Sequence, residues 1–327
     1  MRPGEGVRLA LARARRKGRR VRRALLVEVD GASMQWPGAE LYLAEDGEVI
    51  GAIAGGCADE AIVAALAVQP IQGAAGRLLR FRTDPDTSRI DGLPSGCAAV
   101  LTVLLEAAPP QDLLQARIAG TRYVRRGVRD AAAPSRITAW RASDGQPTPA
   151  SRIMLCDHHL IEWLPPATNL VLIGAGAVAM LVAQSAALLD VTVTVCDPRA
   201  AAGCTPAPPG VRHLACWPDA ADAAAAIHSA DAVCALAQHP RLDVAGLAAA
   251  LRAEVPFVGA LGSARRRAAL RAELCAAGVP EPLARRVRVP LGARPGRTIP
   301  ELALAILTAI PLATRDAGRS PIPGSRR

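Results

Sequence analysis

Cys57 follows two glycines and precedes two acids in the stretch AIAGGCADEA, residues 52–61. Cys97 closes a second glycine-bearing loop, DGLPSGC, residues 91–97. Gly55 and Gly56 let the backbone turn, or pass close to a ligand, where other residues cannot. A thiol at a helix N-terminus has a lowered pKa and spends more time as thiolate. Thiolates ligate soft metals and carry sulfur by exchange. Two such thiols beside glycines predict a shared cleft; composition alone favours two buried structural cysteines. Asp59 and Glu60 fall in a helix's first turn, where each favours the helix dipole by about 0.3–1 kcal/mol. Accepting a proton from Cys57 is the alternative role for them. The other cysteines, at 156, 196, 204, 216, 234 and 275, form no CxxC pair and match no zinc spacing. They read as small buried hydrophobes in a reducing compartment.

A second chemistry is written in GAGAVA, residues 174–179, which fits G-x-G-x-x-G/A. Gly174 permits the tight turn, Gly176 admits a pyrophosphate, and Ala179 lets helix and strand pack closely. The helix start then offers free N–H groups to an anion. Asp197 lies 21 positions after Gly176, where an acid can bind a ribose 2′-hydroxyl. FVGALGSARRR, residues 257–267, forms another candidate anion site. There Gly262 turns, Ser263 caps a helix, and Arg265 to Arg267 oppose the helix dipole unless an anion balances them. A solvated basic face is the equal alternative. His239 and Asp243 fall after a strand of the same region, with loop polarity and capping as the plainer reading. Cys156, Asp157, His158 and His159 resemble a metal cluster on paper, but adjacent strand residues point to opposite faces and rarely converge on one ion.

These residues need elements to hold them. Residues 7–23 read as a helix, 24–29 as a strand, and 41–44 with 48–54 as a hairpin turned by EDG. A helix over 59–67 and strands at 78–82 and 98–107 complete an α/β domain over residues 1–120. Residues 121–166 read as a meander or linker ending at Pro165-Pro166. From residue 167 to 327 the pattern is strand, glycine turn, helix, strand, repeated with alanine-rich helices. The expected fold is therefore an N-terminal mixed α/β domain followed by a C-terminal Rossmann-like, doubly wound parallel sheet.

The 327 residues carry a formal charge of +10, with Lys17 the sole lysine. Ten basic residues and one acid, Glu5, fall within residues 1–23, which leaves the remainder close to neutral. This run reads as a solvated helix face; a nucleic-acid or acidic partner is the alternative. Without interleaved aromatics it lacks a stacking platform, so nucleic acid is disfavoured. Residues 170–189 are apolar enough to suggest a membrane span, but the strand–glycine–helix pattern accounts for them. No secretory signal is evident, and the expected location is the cytoplasm.

Taken in order, these blocks resemble a known family. PGAELYLAEDGEVIGAIAGGCADEA and SGCAAVLTVLLE look like the two cysteine blocks of the XdhC/CoxF family of molybdenum-cofactor maturation proteins. LVLIGAGAVA, VTVTVCDPR, FVGALGSARRR and VPLGARPGRTIPELALAIL resemble its C-terminal Rossmann part. The resemblance implies a chaperone rather than a turnover enzyme. Such a protein binds the molybdenum cofactor (molybdopterin, bare or as a dinucleotide), assists its sulfuration by a cysteine desulfurase, and inserts it into a xanthine dehydrogenase-like molybdenum hydroxylase. By position, Cys57 and Cys97 would contact the molybdenum or its sulfur ligands, with Gly55 and Gly56 making room. Gly174, Gly176, Ala179, Asp197, Gly262, Ser263 and Arg265 would surround the phosphate or dinucleotide tail. A homodimer is compatible with this reading. Ala177 stands where the family usually has histidine, and Ala98 and Ala99 follow Cys97 in place of glycines. The alternative class is an NAD(P)-dependent oxidoreductase, which would share the glycine turn and Asp197.

Overall fold

The computed structural model describes residues 5–33, 35–56, 58–68, 76–83, 89–90, 93–94, 98–142, 152–199, 207–292 and 298–311. They divide into two compact units, Val7–Pro166 and, with Gly4–Gly6, Ala167–Ala313.

In the first unit, α1 (Val7–Arg16) buries Ala10, Leu11 and Ala14. The helix does not run on to residue 23 as its composition predicts. Gly18 takes a left-handed φ of +68°, and the chain re-enters as strand β1 (Val21–Gly31). Next come β2 (Glu40–Ala44), β3 (Val49–Gly51), α2 (Asp59–Val68), β4 (Gly76–Thr83) and a ribbon of β5 (Arg89–Ile90) and β6 (Leu93–Pro94). β7 (Ala99–Glu106), α3 (Gln111–Ala119), β8 (Tyr123–Arg129), β9 (Arg136–Ala142), β10 (Ile153–Leu155) and β11 (His159–Leu164) complete it. A nine-stranded sheet runs β10-β11-β8-β9-β4-β7-β1-β2-β3, each neighbouring pair antiparallel. The meander expected over residues 121–166 thus supplies four strands to the same sheet and lies within the first unit. α2 covers one face, setting Ile62 and Leu66 against Leu26, Leu101 and Val103.

The sheet coils until strands far apart in its order face one another. Leu25, Leu104, Ile137 and Leu160 meet there in an apolar cluster. Beside them lies a buried ionic network. Arg23 on β1 and Arg125 on β8 are both fully buried. Arg125 donates to both Glu106 oxygens at 2.7 Å and to Glu162 at 2.7 Å. Arg23 donates to Glu106 at 2.9 Å, to Glu40 at 2.9 and 2.5 Å, and to Glu162. Arg117 from α3 and the Tyr42 hydroxyl complete the shell around Glu40, each at 2.7 Å. Arg13 is paired as well, donating to Glu48 at 2.6 and 2.8 Å. The leading basic run is therefore not a uniformly solvated face: Arg13 and Arg23 are internal ion-pair partners.

In the second unit, β12 (Asn169–Ile173), α4 (Ala177–Leu188), β13 (Thr192–Cys196), β14 (Val211–Leu214), α5 (Ala221–His228), β15 (Ala232–Ala235), α6 (Pro240–Arg252), β16 (Phe257–Ala260), α7 (Ala264–Ala276), α8 (Glu281–Ala284) and α9 (Ile299–Ala309) follow in order. The five strands are all parallel, in the order β14-β13-β12-β15-β16. Such strands are buried on both faces and read as continuous apolar runs, as NLVLI and AVCA do. α4 and α9 pack on one face, α5, α6 and α7 on the other. The doubly wound expectation holds. Among the described residues no helix is long and apolar enough to cross a membrane; residues 170–189 are β12, the glycine turn and α4.

Candidate functional site

In the parallel sheet the strand order reverses between β12 and β15, the place where doubly wound sheets hold ligands at their carboxyl edge. Three of the loops at that edge, after β12, β16 and β15, carry candidate residues, and Asp197 follows β13 at the same edge. After β12, Gly174 adopts φ +107° and presses on the next loop: a Cβ there would lie 2.5 Å from Ala237 Cα. Gly176 is the N-cap of α4, with φ −70° and ψ 170°, and a Cβ on it would meet nothing within 4 Å. The first turn of α4 carries no acid, and the open space beside Gly176 adjoins the N–H groups at the positive end of its dipole. Ala179 is fully buried, as close packing of α4 requires.

Asp197 does not stand open to a ribose. It is 2% exposed, and its oxygens are taken by protein donors. Oδ2 accepts from the Ala175 N–H at 2.9 Å and from the Arg199 guanidinium at 2.8 Å. Oδ1 accepts from the Arg199 N–H and Nε, both at 2.9 Å. Burial pushes this carboxyl up, but the Arg199 and Ala175 bonds outweigh it and hold the pKa below the ordinary value. The acid at this spacing therefore clamps the glycine turn, and its partner Arg199, half-exposed, is the residue that the spacing argument missed. A basic residue two positions after the acid was its only sequence signal.

The second candidate anion loop is likewise partly committed to structure. Ser263 caps α7 as expected, accepting from the Arg266 N–H at 3.4 Å. Arg266 pairs with Glu273 at 2.5 and 2.7 Å, and Arg267 donates to the Val289 carbonyl at 2.6 Å. Gly262 lies against the Arg266 stem and is half-buried, while Arg265 is exposed. Of the three arginines, Arg265 is the one exposed without such a bond among the described residues.

The third loop rests on Asp243, which accepts from the Ala237 N–H at 3.2 Å and the His239 N–H at 3.1 Å. Burial raises its carboxyl to about 6, against the lowering effect of those two bonds. The folded state thus holds this proton more tightly than the unfolded chain. Its stability is expected to rise by about 2 kcal/mol as pH falls from about 6 to about 4. Asp243→Asn, which does not titrate, should remove that dependence; its single amide oxygen can accept only one of the two bonds, so the variant should be less stable throughout the range. Melting temperatures of the two proteins across this range provide the check.

In the antiparallel unit, Cys57 and Cys97 lie outside the described residues. What leads to Cys57 is described. Gly55 and Gly56 take φ of +67° and +117°. Asp59 accepts from the N–H groups of Ile53, Ala54 and Gly56 at 3.0, 2.8 and 2.9 Å. Its carboxylate thus holds the glycine turn in shape. Gly56 is exposed, and a Cβ on it would meet nothing within 4 Å. Glu60 is exposed on α2. The strand following Cys97 is anchored where the Ala98 carbonyl accepts from the Ala32 N–H at 3.1 Å.

Of the other thiols, Cys196 and Cys234 are buried as expected, whereas Cys156 and Cys216 are only partly buried and Cys275 is exposed. Burial pushes both Cys196 and Cys234 up to about 12, which keeps them protonated. Cys204 lies outside the described residues. His159 faces Arg126, 3.3 Å from its Nδ1, and the Cys156 carbonyl accepts from Arg129. Among the described residues no cluster of three or more His, Cys, Asp or Glu side chains could hold a metal ion.

A parallel sheet with helices on both faces and a glycine turn at its switch point defines a Rossmann domain, joined here to an antiparallel unit with a clamped Gly-Gly turn. Residues 170–310 match the XdhC Rossmann domain, and residues 14–82 match the XdhC and CoxI family. The chain belongs to the XdhC family. Among solved structures it is similar to a Bacillus halodurans protein described as a xanthine dehydrogenase, with a TM-score of 0.71, 19% identity, and coverage of 97% of this chain and 98% of that one. At that identity the likeness shows the fold. No curated protein matches the sequence.

Proposed function

We propose that this protein is a maturation factor for a xanthine dehydrogenase-like molybdenum hydroxylase, carrying the molybdenum cofactor as cargo, supporting its sulfuration and delivering it to the apo-enzyme. The observation that carries this reading is the Gly55-Gly56 turn, held by three N–H bonds to Asp59 and open on its outer side, immediately ahead of Cys57. A strand-to-helix turn rigidified in this way fixes the backbone that leads into Cys57. A thiol there suits the soft metal and sulfur end of the cargo. Gly176 and the N–H groups opening α4 suit its phosphate end, since that helix start has room for an anion.

Family membership supports the maturation role, and the hydroxylase is the partner it implies. Cys57 and Cys97 are assigned to the metal end. Gly174, Gly176 and Ala179 are assigned to the phosphate end, where Arg265 adds positive charge. The test is purification of the protein from cells that make the cofactor, with molybdenum and pterin measured per chain. Near-stoichiometric loading that is lost in Cys57→Ser or Cys97→Ser is the expected result. Loading unchanged in both variants removes the thiols from the proposal, and absence of cofactor from the parent protein overturns it.

A further inference from the structure

We propose that a groove in the antiparallel unit, distinct from the turn that precedes Cys57, receives an acidic segment of a protein partner that also bears apolar side chains. α1, the start of β1, the ends of β2 and α2, residues 107–111 and α3 enclose an open groove of about 1230 Å³. That exceeds the ~300–1,000 Å³ usual for small-molecule sites. Leu11, Val21, Leu43, Leu114 and Ile118 give it an apolar floor.

Its rim is cationic. Arg15, Arg19, Arg20 and Arg22 line it, against the single acid Glu45. Arg22 is committed to the Leu66 and Ala67 carbonyls that end α2, at 2.5 and 2.6 Å, and Arg19 to Asp46 at 2.6 Å. Arg20 pairs with Glu45 at 2.5 Å, yet its side chain is 90% exposed. Arg15, Arg16 and Lys17 stand exposed in a row at the end of α1. They complement the helix dipole, but that does not explain an apolar trough beside them. Val68, next to the lining residue Ala67, is 78% exposed and extends the apolar surface.

An apolar floor under a basic lip selects its occupant by charge complementarity. Opposite charge steers the approach and fixes register, while apolar anchors in the floor supply affinity. A nucleic acid fits less well. Among the described residues no aromatic side chain lines the groove for bases to stack on, and phosphates gain nothing from a leucine floor.

The full chain should be titrated with a fluorescein-labelled amphipathic peptide of glutamate and leucine, with a lysine–leucine counterpart and oligothymidine as comparators. Saturable binding of the acidic peptide is expected, weakened about tenfold or more by high salt and by the paired substitution Arg15→Glu, Arg20→Glu. Both residues are exposed, so the variant should keep the parent's circular dichroism, with a melting temperature lowered only slightly by loss of the Arg20–Glu45 pair. Hydrogen exchange should show protection over α1 and α3. No saturable binding, equal binding of the lysine peptide, affinity unchanged in the paired variant, or protection confined to other elements overturns the proposal. Preferential binding of oligothymidine overturns it in favour of nucleic acid.

Discussion

Replacing Arg125 with methionine is expected to lower the unfolding free energy by about 3–5 kcal/mol, read from urea melts of parent and variant. Arg125 is fully buried with three donors committed to Glu106 and Glu162, and its guanidinium lies 3.7 Å from the Trp140 ring centre. Methionine fills much of the space but leaves two carboxylates facing a low-dielectric interior with one cation, Arg23, between them. Removing one partner of a buried network costs far more than the network contributes, because the stranded charges have already lost their water. Against a total of about 5–15 kcal/mol for a domain, such a loss would leave the antiparallel unit marginal. Adding Glu106→Gln should recover part of the loss by restoring the charge balance, a non-additivity that a double-mutant cycle measures. A loss below about 1 kcal/mol in the single variant would show that the network is solvated. Acid provides a second reading. Burial pushes the Glu40 carboxyl up, but Arg23 and Arg117 overcome that and hold it at about 2. A carboxyl depressed on folding contributes stability that is complete above its ordinary range near 4.5 and lost as pH falls toward 2. The antiparallel unit should therefore weaken over the window below pH 4.5, whereas Asp243 favours the parallel unit between about 6 and 4.

The contrast between the two units also explains what the sequence could reveal. The Rossmann unit was legible because its signals are local: a β-rich apolar run, glycines at fixed spacing, an alanine-rich helix and a second strand all fall within about thirty residues. The antiparallel sheet was legible strand by strand, but its closure was not. Arg23 meets Glu162 across 139 positions and Glu106 across 83, and charge composition alone cannot distinguish an arginine with such a partner from one in water. Reading Arg23 as part of a solvated helix failed for this reason, with Gly18 as the overlooked stop signal. At the sites, spacing marked Asp197 for a ribose, but its carboxylate is taken by Arg199 and by the Ala175 N–H of the glycine turn. Asp59, read as favouring the dipole of α2, accepts three backbone N–H groups of the Gly-Gly turn. Short polar side chains compete for nearby backbone donors, and the sequence offers no sign of which donor wins.

That same competition makes the two glycines of the Rossmann turn separable by experiment. Gly174→Ala is expected to destabilise the parallel unit by about 3–5 kcal/mol, combining left-handed backbone strain with overpacking. Its φ of +107° is one that alanine rarely adopts, and the added Cβ would sit 2.5 Å from Ala237 Cα and 2.6 Å from Ala237 N. Those are backbone atoms, and the Ala237 N–H is itself held by Asp243, so the neighbouring loop cannot yield without losing that bond. Gly176→Ala meets none of this. Its φ is −70°, and the new methyl would enter open space, so thermal unfolding should move by no more than about 1 kcal/mol. The methyl does, however, project beside the N–H groups that open α4, where a phosphate must come close for a helix N-terminus to hold it. Gly176→Ala should therefore fold like the parent and retain less pterin on purification from cofactor-producing cells, whereas Gly174→Ala loses both fold and cargo. Parent-like loading of a folded Gly176→Ala protein would show that this helix start does not carry the cargo's phosphate and would leave the proposed carrier function resting on the Gly55-Gly56 turn.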